Sequence, residues 1–272
     1  MKLLTAFLSL IFLSVASDAF AQELFVSDSR SQAMGGASVA LSGCWSAFAN
    51  QAGLANIDGV EIGGSFQNRF LVKELSVRAG LLAVPVQNSV FAVSLYQFGS
   101  LPFRQEKFGF AYARNLSPKL SFGAQFNYHR LFISENNRSA GSAGVELGFQ
   151  YLANDRLVLG AHVLNPYQTG IKMFSGNYFF PSRINVGALY RLSDAFGITS
   201  ELENDFDRHV VVKSGIEYVI SKKFYLRTGV SGKPYQLSAG IGFVHQKLTV
   251  DIASTYGQYL GNSPSVSFQY QF

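Results

Sequence analysis

Four histidines and one cysteine are the residues of this chain best suited to chemistry as single groups: His129, His162, His209, His245 and Cys44. A hydrolase needs a histidine within hydrogen-bond reach of a serine, with a third group orienting the ring, and no serine-rich motif flanks any of the four. A metal centre needs His, Cys, Asp and Glu at ligand spacing; here they are scattered. Gly240 and Gly242 lie in an alternating stretch with no helix after it, which is not the setting of a phosphate loop. The expectation is a protein without catalytic, cofactor-binding or metal-binding residues, not an enzyme. Cys44 has no partner in the chain and reads as a small buried hydrophobe.

The charged residues point elsewhere. Glu61, Arg78, Lys107, Glu146, Arg191, Glu201, Lys213, Glu217, Arg227 and Asp251 all fall on the polar parity of alternating segments, with both signs mixed. Many glycines share that parity, among them Gly80, Gly109, Gly123, Gly148, Gly187, Gly215 and Gly229. An open ion-selective pore would favour one sign. Mixed charges beside small residues suit a lumen packed against a plug, with ion pairs from plug to wall, because buried unpaired charges are costly.

The elements that must position these residues are strands. From Gly59 onward, runs of about ten residues alternate apolar with small or polar. At the end of the chain Val266, Phe268, Tyr270 and Phe272 alternate with Ser265, Ser267, Gln269 and Gln271. A soluble sandwich would charge its outer face, yet only 14% of the chain is Asp, Glu, Lys or Arg, against roughly a quarter in soluble domains. An aromatic-rich apolar exterior around a polar interior is the arrangement of a transmembrane β-barrel, which must close because lipid cannot satisfy a strand edge. The fold class expected is all-β, an antiparallel transmembrane barrel.

Strands read near 59–67, 73–84, 88–98, 104–114, 119–131, 143–153, 156–165, 183–193, 195–204, 209–220, 223–232, 235–244, 247–257 and 262–272, which makes fourteen, with twelve as the alternative count. Connections after even strands are tight, whereas Phe132–Ser142 and Pro166–Ser182 are long loops after odd ones. Short periplasmic turns and longer outer loops are the expected asymmetry. The 22 basic and 17 acidic residues leave a net charge of +5, too scattered for a nucleic-acid groove.

Met1-Lys2, the apolar run from Leu3 to Ala16 and Ala19-Phe20-Ala21 read as a signal peptide over residues 1–21. Residues 22–58 do not alternate; they are small and nearly uncharged, and they hold the one Trp. A flexible linker would be more polar, so this segment should pack inside the barrel formed by 59–272.

Gly35, Gly36, Trp45, Phe48, Asn50, Gly53 and Leu54 make a Gly-Gly-Ala, Trp-x-x-Phe, Asn-x-Ala-Gly-Leu series between the signal peptide and the strands. That series resembles the FadL/PorV/PorQ superfamily of outer-membrane barrels, in which the segment is a hatch plugging the lumen. The family motif usually reads Asn-Pro-Ala-Gly. Here Gln51 replaces the Pro, and Cys44 stands where an acidic residue is common. With Asn68 to Leu75, the variant is similar to a compact Bacteroidota group near the PorV/PorQ branch. The alternating end carrying Phe268, Tyr270 and Phe272 resembles the signal read by the barrel assembly machinery.

The resemblance implies a location in a Gram-negative outer membrane, in contact with its lipid and lipopolysaccharide. It offers two roles: an accessory of type IX secretion working with secretion-system components, or passive transport of a hydrophobic ligand. The barrel has 272 − 58 = 214 residues, little for tall capturing loops, which favours the secretion role. Against it, Phe91, Val93 and Leu95 hold one parity while Tyr96 and Phe98 hold the other. A bulge or kink produces such a slip, and FadL-type barrels open their wall at the third strand. A lateral opening would then have Tyr96, Phe98 and Leu101 at its rim, and an unbroken third strand would exclude it.

Overall fold

The structure is a computed structural model and describes residues 28–101, 103–133, 138–173, 176–206, 210–232 and 234–272. The expected signal peptide and His209 lie outside these residues.

Alternation of side chains produces the strands β1 (Glu61–Asn68), β2 (Ser76–Val86), β3 (Ser89–Ser100), β4 (Phe103–Ser117), β5 (Leu120–Ile133), β6 (Arg138–Asn154) and β7 (Leu157–Leu164). A small hairpin follows, β8 (Gly170–Met173) with β9 (Gly176–Phe179). The wall then resumes with β10 (Arg183–Ser193), β11 (Phe196–Asp205), β12 (Val211–Ser221), β13 (Phe224–Ser231), β14 (Gln236–His245), β15 (Leu248–Gly257) and β16 (Gly261–Gln271). Each wall strand pairs antiparallel with the next, β7 pairs with β10, and β16 closes on β1, giving a closed barrel of fourteen strands. The alternative count of twelve is excluded.

The turns after β2, β4, β6, β10, β12 and β14 are two residues each, which sets the periplasmic end by the usual barrel asymmetry. Phe110, Phe126, Phe149, Ile241 and Ile252 point outward with 45–55% of their surface exposed. Their strand neighbours Ala111, Gln125, Gln150 and Asp251 are buried. Side chains on opposite parities of one strand thus meet lipid and lumen.

The wall is uneven in height. β3 to β6 have 12–17 residues, whereas β7 and β13 have 8. On β4 and β5 the outward face changes from Phe108 and Tyr128 to the ion-paired Arg104, Glu106 and Arg130. The apolar belt therefore ends there, and the tall strands continue beyond it. This corrects the loop expected at Phe132–Ser142: the β5–β6 ladder runs without interruption to Ile133 opposite Arg138, because alternation persists through Leu131 and Ile133. The loop expected at Pro166–Ser182 contains β8 and β9 and turns inward, burying Ile171 and Phe180 against Leu131.

The third strand shows no parity slip. Val90, Ala92, Ser94 and Tyr96 are buried on the lumen side, and Phe98 continues their parity, half-buried; Phe91, Val93 and Leu95 form the lipid face. β3 pairs with β2 from Ser89 to Phe98 and with β4 from Ser89 to Ser100, without a register shift. Both faces are apolar, and that is what imitates a slip in the sequence. No opening exists in this strand: Tyr96 and Phe98 fill the lumen, and Leu101 lies exposed in the β3–β4 turn.

Candidate functional site: a lumen divided between ion pairs and an apolar seam

Residues 28–57 lie inside the ring of strands. Asp28 caps a short helix, α1 (Ser29–Ala33), by accepting from the Ser31 amide, and burial raises its carboxyl above the ordinary aspartate range. Gly35 and Gly36 adopt φ of +68° and +78°, a region that favours glycine. A side chain at Gly35 would collide with the Val230 backbone of the wall. Two short 3-10 helices follow, Cys44–Phe48 and Gln51–Asn56. Trp45 stacks on Phe48 with ring centroids 6.0 Å apart and covers Gly63 of β1. Wall glycines let the two backbones meet: Gly123 abuts Gln51 and Ala52, Gly160 abuts Val39, and Gly215 and Gly229 abut Met34.

The Asn-x-Ala-Gly-Leu motif acts as a knot. Asn50 accepts from the Ala52 amide and donates to the carbonyls of Val39 (2.7 Å) and Phe149 (3.0 Å). Gly53 packs on Ser46 and the Leu41 carbonyl, and Leu54 is fully buried. Gln51, at the family's proline position, donates to Glu146 of β6 at 2.7 Å. Cys44 is fully buried near Gln269 and Glu61, and burial pushes its thiol well above the ordinary cysteine range.

One side of the lumen is ionic. Glu146 accepts from Lys107 (3.0 Å), Asn127 (2.8 Å) and Gln51, and lies 3.0 Å from His162 Nε2. Lys213 bridges Glu201 and Glu203, and Arg183 joins Glu203 to Asp205. Glu201 also accepts from the Ser38 and Val39 amides at 2.7 and 2.8 Å. Arg30 makes a two-pronged pair with Glu217, which in turn meets Arg227, itself paired with Asp251. Plug and wall are thus tied by the ion pair that mixed charges implied. Of the ten charges assigned inward, Arg78 is misplaced: it is exposed and lies over the outward ring of Phe66, and Gly80 shares its lipid-facing parity. Arg191 keeps the inward parity but lies exposed at the periplasmic end. Arg183, Glu203 and Asp205 escaped the reading, although they share the parity of Asn185 and Glu201.

The other side is apolar. Val77, Ala79, Leu81 and Ala83 of β2, Val90 and Ala92 of β3, and Ala111 and Ala113 of β4 form one buried cluster with Trp45, Phe48, Leu54, Ile57 and Tyr96. Phe98 packs on its outer end beneath the Arg69 guanidinium, and Ala55 on its inner end. An apolar seam therefore runs between plug and wall, with Ser94 of β3 buried within it and Lys107 of β4 at its border opposite Tyr96. Cavities along the plug, such as that beside Ser38, Phe48 and Lys213, measure about 30–50 Å³, room for about one water each. His129 lies near the seam's outer end, stacked on Phe180 at 4.4 Å.

No protein-family model and no curated protein sequence matches the chain. Solved structures do. The CymD monoaromatic hydrocarbon channel superposes with a TM-score of 0.73 at 14% identity, over 93% of this chain and 99% of that one. The toluene transporter TbuX of Ralstonia pickettii gives 0.72 at 13%, over 92% and 99%. A FadL homologue of Pseudomonas aeruginosa gives 0.67 at 12%, over 90% and 98%. At these identities the likeness concerns the fold. With its closed ring of fourteen strands and lipid-facing exterior, the chain has the fold of the FadL-type outer-membrane barrels on which it superposes.

Proposed function

We propose that the protein is a passive, non-enzymatic channel for small hydrophobic molecules, and that the seam between the plug and β2–β4 is its route. The apolar contact from Phe98 and Tyr96 past Ala92, Ala111 and Ala113 to Ile57 carries this reading. An apolar solute leaving water gains about 25 cal/mol for each Å² it buries, and it gains this along the seam but not among the ion pairs opposite. Small residues on the wall lessen how far the plug must move to admit a flat ring, because alanine presents only a methyl group.

The ionic side supplies the fixed support. Glu201, Glu146 and Glu217 hold Ser38, Gln51 and Arg30 of the plug, so displacement is easiest along the seam, where apolar contacts predominate and Asn115 donates to the Ala55 carbonyl. The likeness to monoaromatic hydrocarbon and toluene channels fits this substrate class. The barrel reaches its membrane through the assembly machinery, for which Phe268, Tyr270 and Phe272 stand on one outward, lipid-facing parity.

The test is uptake of a radiolabelled monoaromatic hydrocarbon by cells that display the protein in a lipopolysaccharide-bearing outer membrane and lack other such channels. The wild type is expected to speed uptake over empty cells, and Ala111→Phe, which fills the seam, is expected to abolish the gain while heat-modifiable migration shows a folded barrel. Uptake by the wild type no faster than by empty cells would overturn the proposal.

A further inference from the structure

On the lipid-facing wall at the periplasmic end, β12 to β15 frame an apolar recess of about 340 Å³. Ile220, Phe224, Ile241, Phe243, Val250 and Ile252 line it. It is larger than the cavities described along the plug, and its lining is almost wholly hydrocarbon. Immediately below lie two adjacent turns, Lys222–Lys223 and Gln246–Lys247. A backbone bond from the Val244 amide to the Lys223 carbonyl (2.8 Å) holds them side by side. All three lysines are exposed, neither turn contains an acidic side chain, and none of the three lysines has an ion pair among the described residues.

The other periplasmic turns differ. Asp155 accompanies Arg156, Asp194 precedes Ala195, and Gln87–Asn88 is neutral; Pro118–Lys119 carries a single lysine. Three unpaired ammonium groups at headgroup level, above a recess for hydrocarbon, match a molecule with an anionic phosphate head and a flexible apolar tail.

We propose that this recess with Lys222, Lys223 and Lys247 is a binding site for one anionic phospholipid of the periplasmic leaflet. The phosphate sits among the three lysines and an acyl chain lies across the touching rings of Phe224 and Phe243, whose centroids are 5.1 Å apart. A neutral zwitterionic lipid places a cation beside its phosphate and is disfavoured there. The site lies outside the lumen and is independent of the transport reading.

The experiment is native mass spectrometry of the full barrel, delipidated in detergent and titrated with phosphatidylglycerol or phosphatidylethanolamine. The wild type is expected to prefer phosphatidylglycerol. A lysine near an anionic lipid surface contributes about fivefold in binding, so K222Q/K223Q/K247Q should lose about a hundredfold in that preference. K119Q, in a distant turn, should keep it. Ile241→Trp, which puts an indole into the recess and leaves every charge, should also weaken phosphatidylglycerol binding. Equal binding of the two lipids by the wild type, an unchanged preference in the triple-lysine variant, or undiminished binding by Ile241→Trp would each overturn the proposal, with heat-modifiable migration confirming that every variant is folded.

Discussion

Gly123→Ala should loosen the plug, and the protein carries its own reporter for that event. Gly123 is buried on the lumen face of β5. An added methyl would be driven into the Gln51 carbonyl carbon and the Ala52 amide nitrogen, both main-chain atoms of the plug. Neither can rotate away, so the plug must shift bodily. Overpacking of this kind costs about 1–3 kcal/mol, offset in part by the about 0.4–1 kcal/mol that replacing a glycine returns through the unfolded chain. That credit concerns unfolding of the barrel, whereas plug release leaves the wall folded. A destabilisation of about 2 kcal/mol confined to the plug raises its released population about thirtyfold, at 1.4 kcal/mol per decade. Cys44 reads this out. It is the one cysteine in the chain, fully buried, and its burial keeps the thiol protonated. Maleimide therefore labels it only after release, at a rate that tracks the open population when reclosing is fast. Gly123→Ala should label about thirtyfold faster than the wild type. Gly80→Ala serves as the control, because its methyl would find no atom nearer than 3.8 Å and labelling should not change. Equal labelling of Gly123→Ala and wild type would refute the claim that wall glycines exist to admit the plug backbone.

Other outcomes follow from the same contacts. Glu146→Gln leaves Lys107 buried without its counter-charge, a loss of about 3–5 kcal/mol, visible as a lower temperature for the heat-modifiable gel shift; the double change Lys107→Met with Glu146→Leu should recover part of it. Arg30→Ala removes the plug's two-pronged pair with Glu217, but the Arg30 side chain is 34% exposed, so solvent screening limits the effect to about 1 kcal/mol and Cys44 labelling should rise only about fivefold. In planar bilayers the wild type should pass little ion current, because the plug fills the ring of strands and the cavities described beside it hold about one water each; a chain lacking residues 28–57 should conduct steadily. An equally low current from the truncated chain would count against the plug as the barrier.

The barrel was legible because alternation fixes both faces of a strand at once. Phe268, Tyr270 and Phe272 against Ser267, Gln269 and Gln271 needs no tertiary knowledge, and turn lengths alone separated the two ends of the barrel. The ionic side was legible for the same reason: Lys107, Glu146, Glu201, Lys213 and Arg227 stand on the parity opposite the rings. The seam was hidden because both parities of β2 and β3 are apolar, one facing lipid and the other the plug. Strands apolar on both faces are buried on both faces, and that signal lay in Val77 to Phe98, where it imitated a kink. The partners of Gln51 and Arg30 were also out of reach, since Glu146 and Glu217 lie 95 and 187 residues away and only closure of the ring brings them near. Arg78 was misassigned because one charged residue at the outer end of β2 can lie across Phe66 while obeying the same alternation.

The most direct test of the divided lumen is to locate a small apolar molecule within it. A crystal of the protein soaked in a brominated monoaromatic compound should show anomalous bromine signal between the plug and β2–β4, beside Tyr96, Ala111 and Phe48. Signal confined to the lipid-facing wall, or found among Lys213, Glu201 and Arg227, would contradict the account.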